Sequence, residues 1–100
     1  MKPYVLSAAA CEDVKNIWEY IAEQAGTDTA DRVLKDLRHA MRRLAETPGI
    51  GHLREDLARE PLRFWSVHSH LIIYRPDSKP LGIARVLHAA RDIKALLPDE

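Results

Sequence analysis

The chemistry this 100-residue chain can offer rests on five histidines, three tyrosines and the arginines of its C-terminal half. His70, Tyr74, Arg63, Arg85 and His88 fall on or beside extended apolar stretches and together hold what acid–base cleavage of RNA requires. One group takes the proton of a 2′-hydroxyl, another protonates the leaving oxygen, and a cation stabilises the phosphorane. A plainer account of the same residues is a core tyrosine with a solvated hydroxyl and arginines in ordinary surface pairs. His68 and His70 lie two apart and would share a strand face. Zinc needs three or four ligands with outer support, and no third ligand is spaced to help, so no metal is expected. The single cysteine, Cys11, excludes an internal disulfide and a Cys-x-x-Cys pair, and on a helix it reads as a structural thiol. No Gly-x-Ser-x-Gly elbow is present, and Gly26, Gly49, Gly51 and Gly82 make no phosphate loop, so no cofactor is expected.

These side chains act only where the elements hold them. Pro3 to Leu6 reads as an edge strand running into Ser7, a helix cap, with Glu12 and Asp13 in or near the first turns, where acids suit the dipole. Ala10, Val14, Ile17, Trp18, Ile21, Ala22 and Ala25 recur at helical spacing and predict a helix over 8–25, stopped by Gly26. Thr27 to Thr29 is expected as a short polar connection. Ala30, Val33, Leu34, Leu37, Ala40, Met41 and Leu44 then form a second stripe that ends before Pro48. Two helices so closely joined pack as an antiparallel hairpin. A long loop runs from Pro48 through Glu60. Strands are expected at 62–67, 70–75 and 81–88, the first two as a hairpin, with a last short helix over 91–97 stopped by Pro98. The fold class is α+β, one domain over 1–100. Its antiparallel β-sheet carries an N-terminal α-helical hairpin, in the order β-α-α-β-β-β plus a short C-terminal helix.

Composition narrows the function classes. The chain is 46% hydrophobic and 30% charged, with fifteen Lys+Arg against fifteen Asp+Glu. A bulk polycation that coats nucleic acid and an acidic tail are both excluded by that balance. No run approaches a membrane span and no leader pattern opens the chain, so it reads as soluble and cytoplasmic. Locally the charge is uneven. From Glu12 to Glu23 four acids face one lysine; from Pro61 to Arg91, Arg63, Arg75, Lys79, Arg85 and Arg91 face only Asp77. Strands sharing a sheet should therefore give it an electropositive face or rim. Trp18, Trp65, Phe64, Tyr4 and Tyr74 are large apolar anchors of the kind that dominate interfaces. Trp65 falls on the strand face opposite Phe64, so one of the two should be less buried. A long amphipathic hairpin can also accept a partner peptide along its groove.

The ordered string itself resembles the ParE branch of the ParE/RelE toxin superfamily. The resemblance is carried by Tyr4-Val5-Leu6-Ser7, Asp13-x-x-x-Ile17-Trp18-x-Tyr20-Ile21, Pro48-Gly49-x-Gly51, Leu57, Arg63, His70-x-Ile72-x-Tyr74-Arg75 and Arg85-Val86-Leu87-His88-x-x-Arg91-Asp92. It covers nearly the whole chain in order. The resemblance implies the toxin of a type II toxin–antitoxin pair, wrapped by the C-terminal segment of a ParD-like antitoxin. DNA would be contacted only through the antitoxin complex. ParE-like members are associated with poisoning DNA gyrase, whereas RelE-like members cleave mRNA on the ribosome with a basic set and a C-terminal tyrosine. This chain departs from the second pattern, since its 48–61 loop holds no lysine and no tyrosine follows Tyr74. The resemblance thus favours a gyrase inhibitor that acts by binding. On that reading Arg63, Arg75, Arg85 and Arg91 contact the target, helped by the segment from Asp92 to Leu97. Trp65, Trp18, Leu37 and Met41 meet the antitoxin. A ribonuclease using His70, Tyr74, Arg63, Arg85 and His88, and an antitoxin-binding protein without toxicity, are the alternatives.

Overall fold

The computed structural model describes residues 2–58 and 61–97. A five-stranded sheet in the order β1-β5-β4-β3-β2 carries a helical hairpin on one face. Its strands are β1 (Tyr4–Leu6), β2 (His52–Leu53), β3 (Arg63–Val67), β4 (His70–Arg75) and β5 (Leu81–His88). The helices are α1 (Ala8–Ala25), α2 (Thr27–Glu46) and a short α3 (Ile93–Leu96). Among the described residues no helix is long and apolar enough to cross a membrane.

The first helix matches its predicted span. Ser7 caps it, its hydroxyl accepting from the Ala10 amide at 3.0 Å. Three expectations about the hairpin are corrected. No acid lies in the first turn of α1, and Asp13 is buried rather than serving the dipole. Thr27, Asp28 and Thr29 are already helical, so Gly26 alone joins the helices, with a φ of 92° that other side chains rarely adopt. Cys11 is exposed on α1 and fills no core position.

The predicted strands at 70–75 and 81–88 match β4 and β5, and Val67 pairs His70 across the two-residue turn at His68 and Ser69. The sheet is not wholly antiparallel: β1 runs parallel to β5, with Leu6 opposite Ile83. The long loop is also less bare than expected. It holds a 3-10 turn at Pro48–Ile50 and then β2, which adds a strand antiparallel to β3. The Arg59 and Glu60 end of that loop, and the Pro98 stop of the last helix, lie outside the described residues. The turn from β4 to β5 carries a cis Lys79–Pro80 bond.

Alternation divides the apolar residues between two layers. Ile72, Tyr74, Val86 and Ile83 face the hairpin and meet Leu37, Met41 and Leu44 of α2. Phe64, Leu71, Ile73 and Leu87 face the other way and are covered by Ile93 and Leu97. Leu37 and Met41 are 1% and 2% exposed. They hold α2 on the sheet, where a partner does not reach them, which corrects their assignment to an antitoxin footprint. Phe64 is buried and Trp65 half-buried, the unequal pair that strand alternation requires.

Candidate functional site

Strand β1 covers β5 only as far as Ile83, and from there α1 satisfies the uncovered edge. The Ser7 amide donates to the Ile83 carbonyl at 3.0 Å, and the Ser7 hydroxyl donates to the Ala84 carbonyl at 2.7 Å. Between the pairs Ile73–Arg85 and Tyr74–Ile83 the register slips, leaving Ala84 as an extra residue on β5. One helical turn on, Asp13 Oδ2 accepts the Val86 amide at 3.0 Å. The same carboxylate takes both arms of Arg85, from Nε at 2.7 Å and Nη2 at 2.8 Å. Arg85 Nη1 then donates to the Leu96 carbonyl at 2.9 Å and so ties α3 to the sheet. Asp13 keeps the guanidinium charged above its ordinary range, chiefly through that hydrogen bonding. Arg85 is thereby committed to α1, β5 and α3 together.

Tyr74 is equally committed. Its hydroxyl donates to the Pro48 carbonyl at 2.6 Å and accepts the Gly51 amide at 3.0 Å. Arg63, its cross-strand neighbour, donates from Nη1 to the Gly51 carbonyl at 2.7 Å. Burial pushes the phenol above its ordinary pKa, against smaller opposing effects of the Gly51 bond and Arg63. These contacts fasten the Pro48–Ile50 turn beneath β3 and β4.

His70 and His88 do meet. They pair directly across β4 and β5, with ring centroids 5.4 Å apart and the planes at 83°. His88 Nδ1 accepts the Ala90 amide at 3.0 Å, whereas His70 Nδ1 is buried with no partner among the described residues. Burial lowers the His70 pKa below the imidazole range, and His88 and His68 lower it further. An unfolded imidazole thus binds a proton that the folded one resists, so folding stability falls as pH drops below about 6.5. Thermal unfolding of the wild-type chain at pH 7.5 and 5.5 should show this drop. His70→Gln should flatten it, and an equal drop in that variant would contradict the assignment.

The two histidines stand at one end of an open groove of about 680 Å³. The groove exists because the hairpin is longer than its support. An 18-residue helix reaches about 27 Å, and α1 overshoots the His88 end of β5. Ile17, Tyr20 and Ile21 of α1, with Val33 of α2, therefore line a cleft together with Val86 and the end of β5. Tyr20 is 67% exposed there. His68 stands at the rim with its Nε2 2.7 Å from Asp36 Oδ2, and Arg91 closes the far side.

The other expected residues are scattered. Arg75 ends β4 opposite Gly82, while Arg91 follows β5 at the end where His70 and His88 pair. A strand of six residues separates those ends by about 17–20 Å, so Arg63, Arg75, Arg85 and Arg91 form no single patch. Trp18 joins the helices, its Nε1 donating to Asp31 at 2.8 Å. Trp65 stacks on His52 at 6.1 Å, and the Arg43 guanidinium lies 5.9 Å from its ring centre. Among the described residues no group of three or more His, Cys, Asp or Glu side chains is arranged to hold a metal. Sequence reasoning missed Asp13 as a site residue; the available signal was an acid at an apolar-stripe position of α1.

Comparison with known proteins adds a family to this geometry. Residues 4–93 match the family described as ParE toxin of type II toxin-antitoxin system, parDE. The chain is 35% identical over 97 residues to Toxin ParE1 of Caulobacter vibrioides, covering 97% of this chain and 99% of that protein. It is 34% identical over 91 residues to Toxin ParE1 of Mycobacterium tuberculosis, covering 90% and 92%. A solved chain of the chromosomal ParDE TA system from P. aeruginosa shares the fold at a TM-score of 0.70 and 17% identity, over 85% of this chain and 92% of that one.

Proposed function

Since the chain belongs to the ParE toxin family of type II toxin–antitoxin systems, we propose that it inhibits DNA gyrase by binding and is neutralised by a ParD-like antitoxin. The observation that carries a binding mode of action is the commitment of the acid–base candidates. Tyr74 is spent on Pro48 and Gly51, Arg63 on Gly51, and Arg85 on Asp13 and Leu96. Of that set only His70 and His88 face each other, and the two arginines that would stabilise developing charge, Arg63 and Arg85, are held by other partners. The target surface centres on Arg91, exposed beside the groove, and on the segment that leads into α3. Arg75 makes a separate contact at the other end of the sheet.

The antitoxin's place is the groove. Ile17, Ile21 and Val33 are apolar side chains left half-buried by the overhanging hairpin, spaced to receive an amphipathic segment. Ile21→Glu puts a charge on that apolar wall and should weaken ParD binding by about 10- to 100-fold, since one such side chain contributes about 1.5–3 kcal/mol. Titration of the full chain with a ParD-like antitoxin measures this, and unchanged affinity would remove the groove as the docking site.

The mode of action is tested with purified gyrase and supercoiled plasmid, beside a cell-free translation reaction at the same toxin concentrations. Gyrase inhibition or plasmid linearisation with normal translation supports the reading, and Arg91→Ala should reduce the effect gradually. Blocked translation with intact gyrase activity would replace it by ribonuclease action. His70→Ala or His88→Ala would then cost orders of magnitude.

A further inference from the structure

The outward face of α2 carries a line of cations of which only the last, Arg43 beside Trp65, has a contact described above. Arg32, Lys35, Arg38, Arg42 and Arg43 are all exposed, and Asp36 is the one acid between the first and last of them. Asp36 is drawn aside to His68. Among the described residues Arg32, Lys35, Arg38 and Arg42 have no carboxylate partner. The intervals of three and four residues keep them on one side, opposite the buried Leu37, Met41 and Leu44. Each interval advances about 4.5–6 Å along the axis, and the ten steps from Arg32 to Arg42 cover about 15 Å. Complementing the helix dipole would need cations only in the last turn, and this line starts well before it.

We propose that this face of α2 binds the phosphate backbone of double-stranded DNA without sequence preference. Four of the five cations are arginines, whose planar fork suits phosphate oxygens better than an ammonium does. The helix is fixed on the sheet through Leu37, Met41 and Leu44, so the backbone positions of its cations are set before contact and match a stiff, regular polyanion. A flexible single strand would instead need free aromatic platforms, and Trp65 at the end of the line is already flanked by His52 and Arg43. B-form DNA presents a groove about 12 Å wide that admits a helix, whereas the duplex RNA groove is too narrow. A lipid surface is disfavoured because the apolar side of α2 is buried in the core and cannot insert. Charge elsewhere orients the contact: Glu12, Glu19 and Glu23 are exposed on α1, so the molecule presents α2 to a polyanion and turns α1 away. The groove takes only Thr29 and Val33 from α2, so its occupant leaves the basic face open. Neither the gyrase reading nor the antitoxin reading enters this inference.

The test is fluorescence anisotropy of a labelled 20-base-pair duplex of arbitrary sequence with the full chain, in 50–200 mM KCl. Four phosphate contacts give a log–log salt slope of about −3.6, an affinity loss of about 150-fold over that range. Arg38→Ala with Arg42→Ala, both exposed and helix-compatible, should halve the slope and leave only about a 12-fold loss. Lys15→Ala on α1 should change neither, and circular dichroism verifies that the variants fold. Absence of binding at 50 mM KCl, or a slope unchanged in the double variant, would overturn the proposal. So would equal binding to polyglutamate, which would make the face a site for acidic protein, or tighter binding to single-stranded DNA or duplex RNA.

Discussion

Asp13→Ala should lower the stability of this chain by about 3–5 kcal/mol, because it leaves a half-enclosed guanidinium without its counter-charge. For a domain of this size that is a fall of roughly 12–40 °C in Tm. Asp13 is 7% exposed and receives three bonds, two from Arg85 and one from the Val86 amide. The amide matters separately. Strand β1 ends opposite Ile83, so Val86 has no neighbouring strand on that side and donates to the Asp13 carboxylate instead. Arg85→Met alone should also destabilise, since it strands the carboxylate. The double variant should lose less than the sum of the two, with a coupling of about 2 kcal/mol or more, because neither charge then lacks its partner. Arg85 also holds the Leu96 carbonyl, so the Leu97 amide, bonded to Ile93 O at 3.1 Å, should exchange faster in both single variants. Additive losses in urea unfolding would mean the pair is not coupled. Full stability in Arg85→Met would return Arg85 to the list of surface cations.

That pair also marks how far sequence reading reaches. The spans of α1, β4 and β5 were legible because their signals are local: a capping serine, a helical apolar stripe, and the β-branched runs at Ile72–Ile73 and Ile83–Val86. Asp13 and Arg85 are 72 positions apart, and no periodicity pairs them. The sequence showed them together only as members of an ordered motif set, with Arg85 otherwise read as an acid–base or target residue and Asp13 as an acid near the helix start, so the family was readable where the contact was not. The parallel run of β1 escaped for a related reason. Three residues carry no sign of strand direction, which is fixed by where Ser7 must hand the chain to α1. Thr27 to Thr29 misled because threonine and aspartate suit caps and connections alike, and Gly26 needed no help in turning the chain. The acid–base set looked convergent because its residue types were right. Tyr74 and Arg63 are instead consumed by backbone groups of a loop that reads as bare in the sequence. The basic line on α2 was hidden by bookkeeping, since four acids nearly offset its five bases over the whole helix while their positions do not.

Gly51→Ala should cost about 2–4 kcal/mol for reasons of space alone. Gly51 has φ −72° and ψ 170°, ordinary extended backbone that alanine adopts without strain. What it lacks is room, because a Cβ there would fall inside van der Waals contact of the Tyr74 hydroxyl and ring edge. Tyr74 is fully buried and its hydroxyl is held from two sides, by Pro48 O and the Gly51 amide, so it cannot step back without breaking both bonds. Overpacking of this kind costs about 1–3 kcal/mol, and each lost bond about 0.5–1.5 kcal/mol. Tyr74→Phe alone should cost about 1–3 kcal/mol by orphaning a buried amide and carbonyl. The two effects should not add. Removing the hydroxyl takes away the nearest of the crowded atoms and frees the ring, whose edge still meets the Cβ, to shift without breaking its two hydrogen bonds, so Gly51→Ala with Tyr74→Phe should be no less stable than Gly51→Ala alone, whereas independent sites would sum. Urea unfolding of the four chains decides it: an additive double variant, or a Gly51→Ala chain within 0.5 kcal/mol of wild type, would mean that the loop yields and the tyrosine does not fix it. A non-additive result would make Tyr74 the post on which the Pro48–Ile50 turn and β2 are hung, and with them the His52 ring that lies against Trp65.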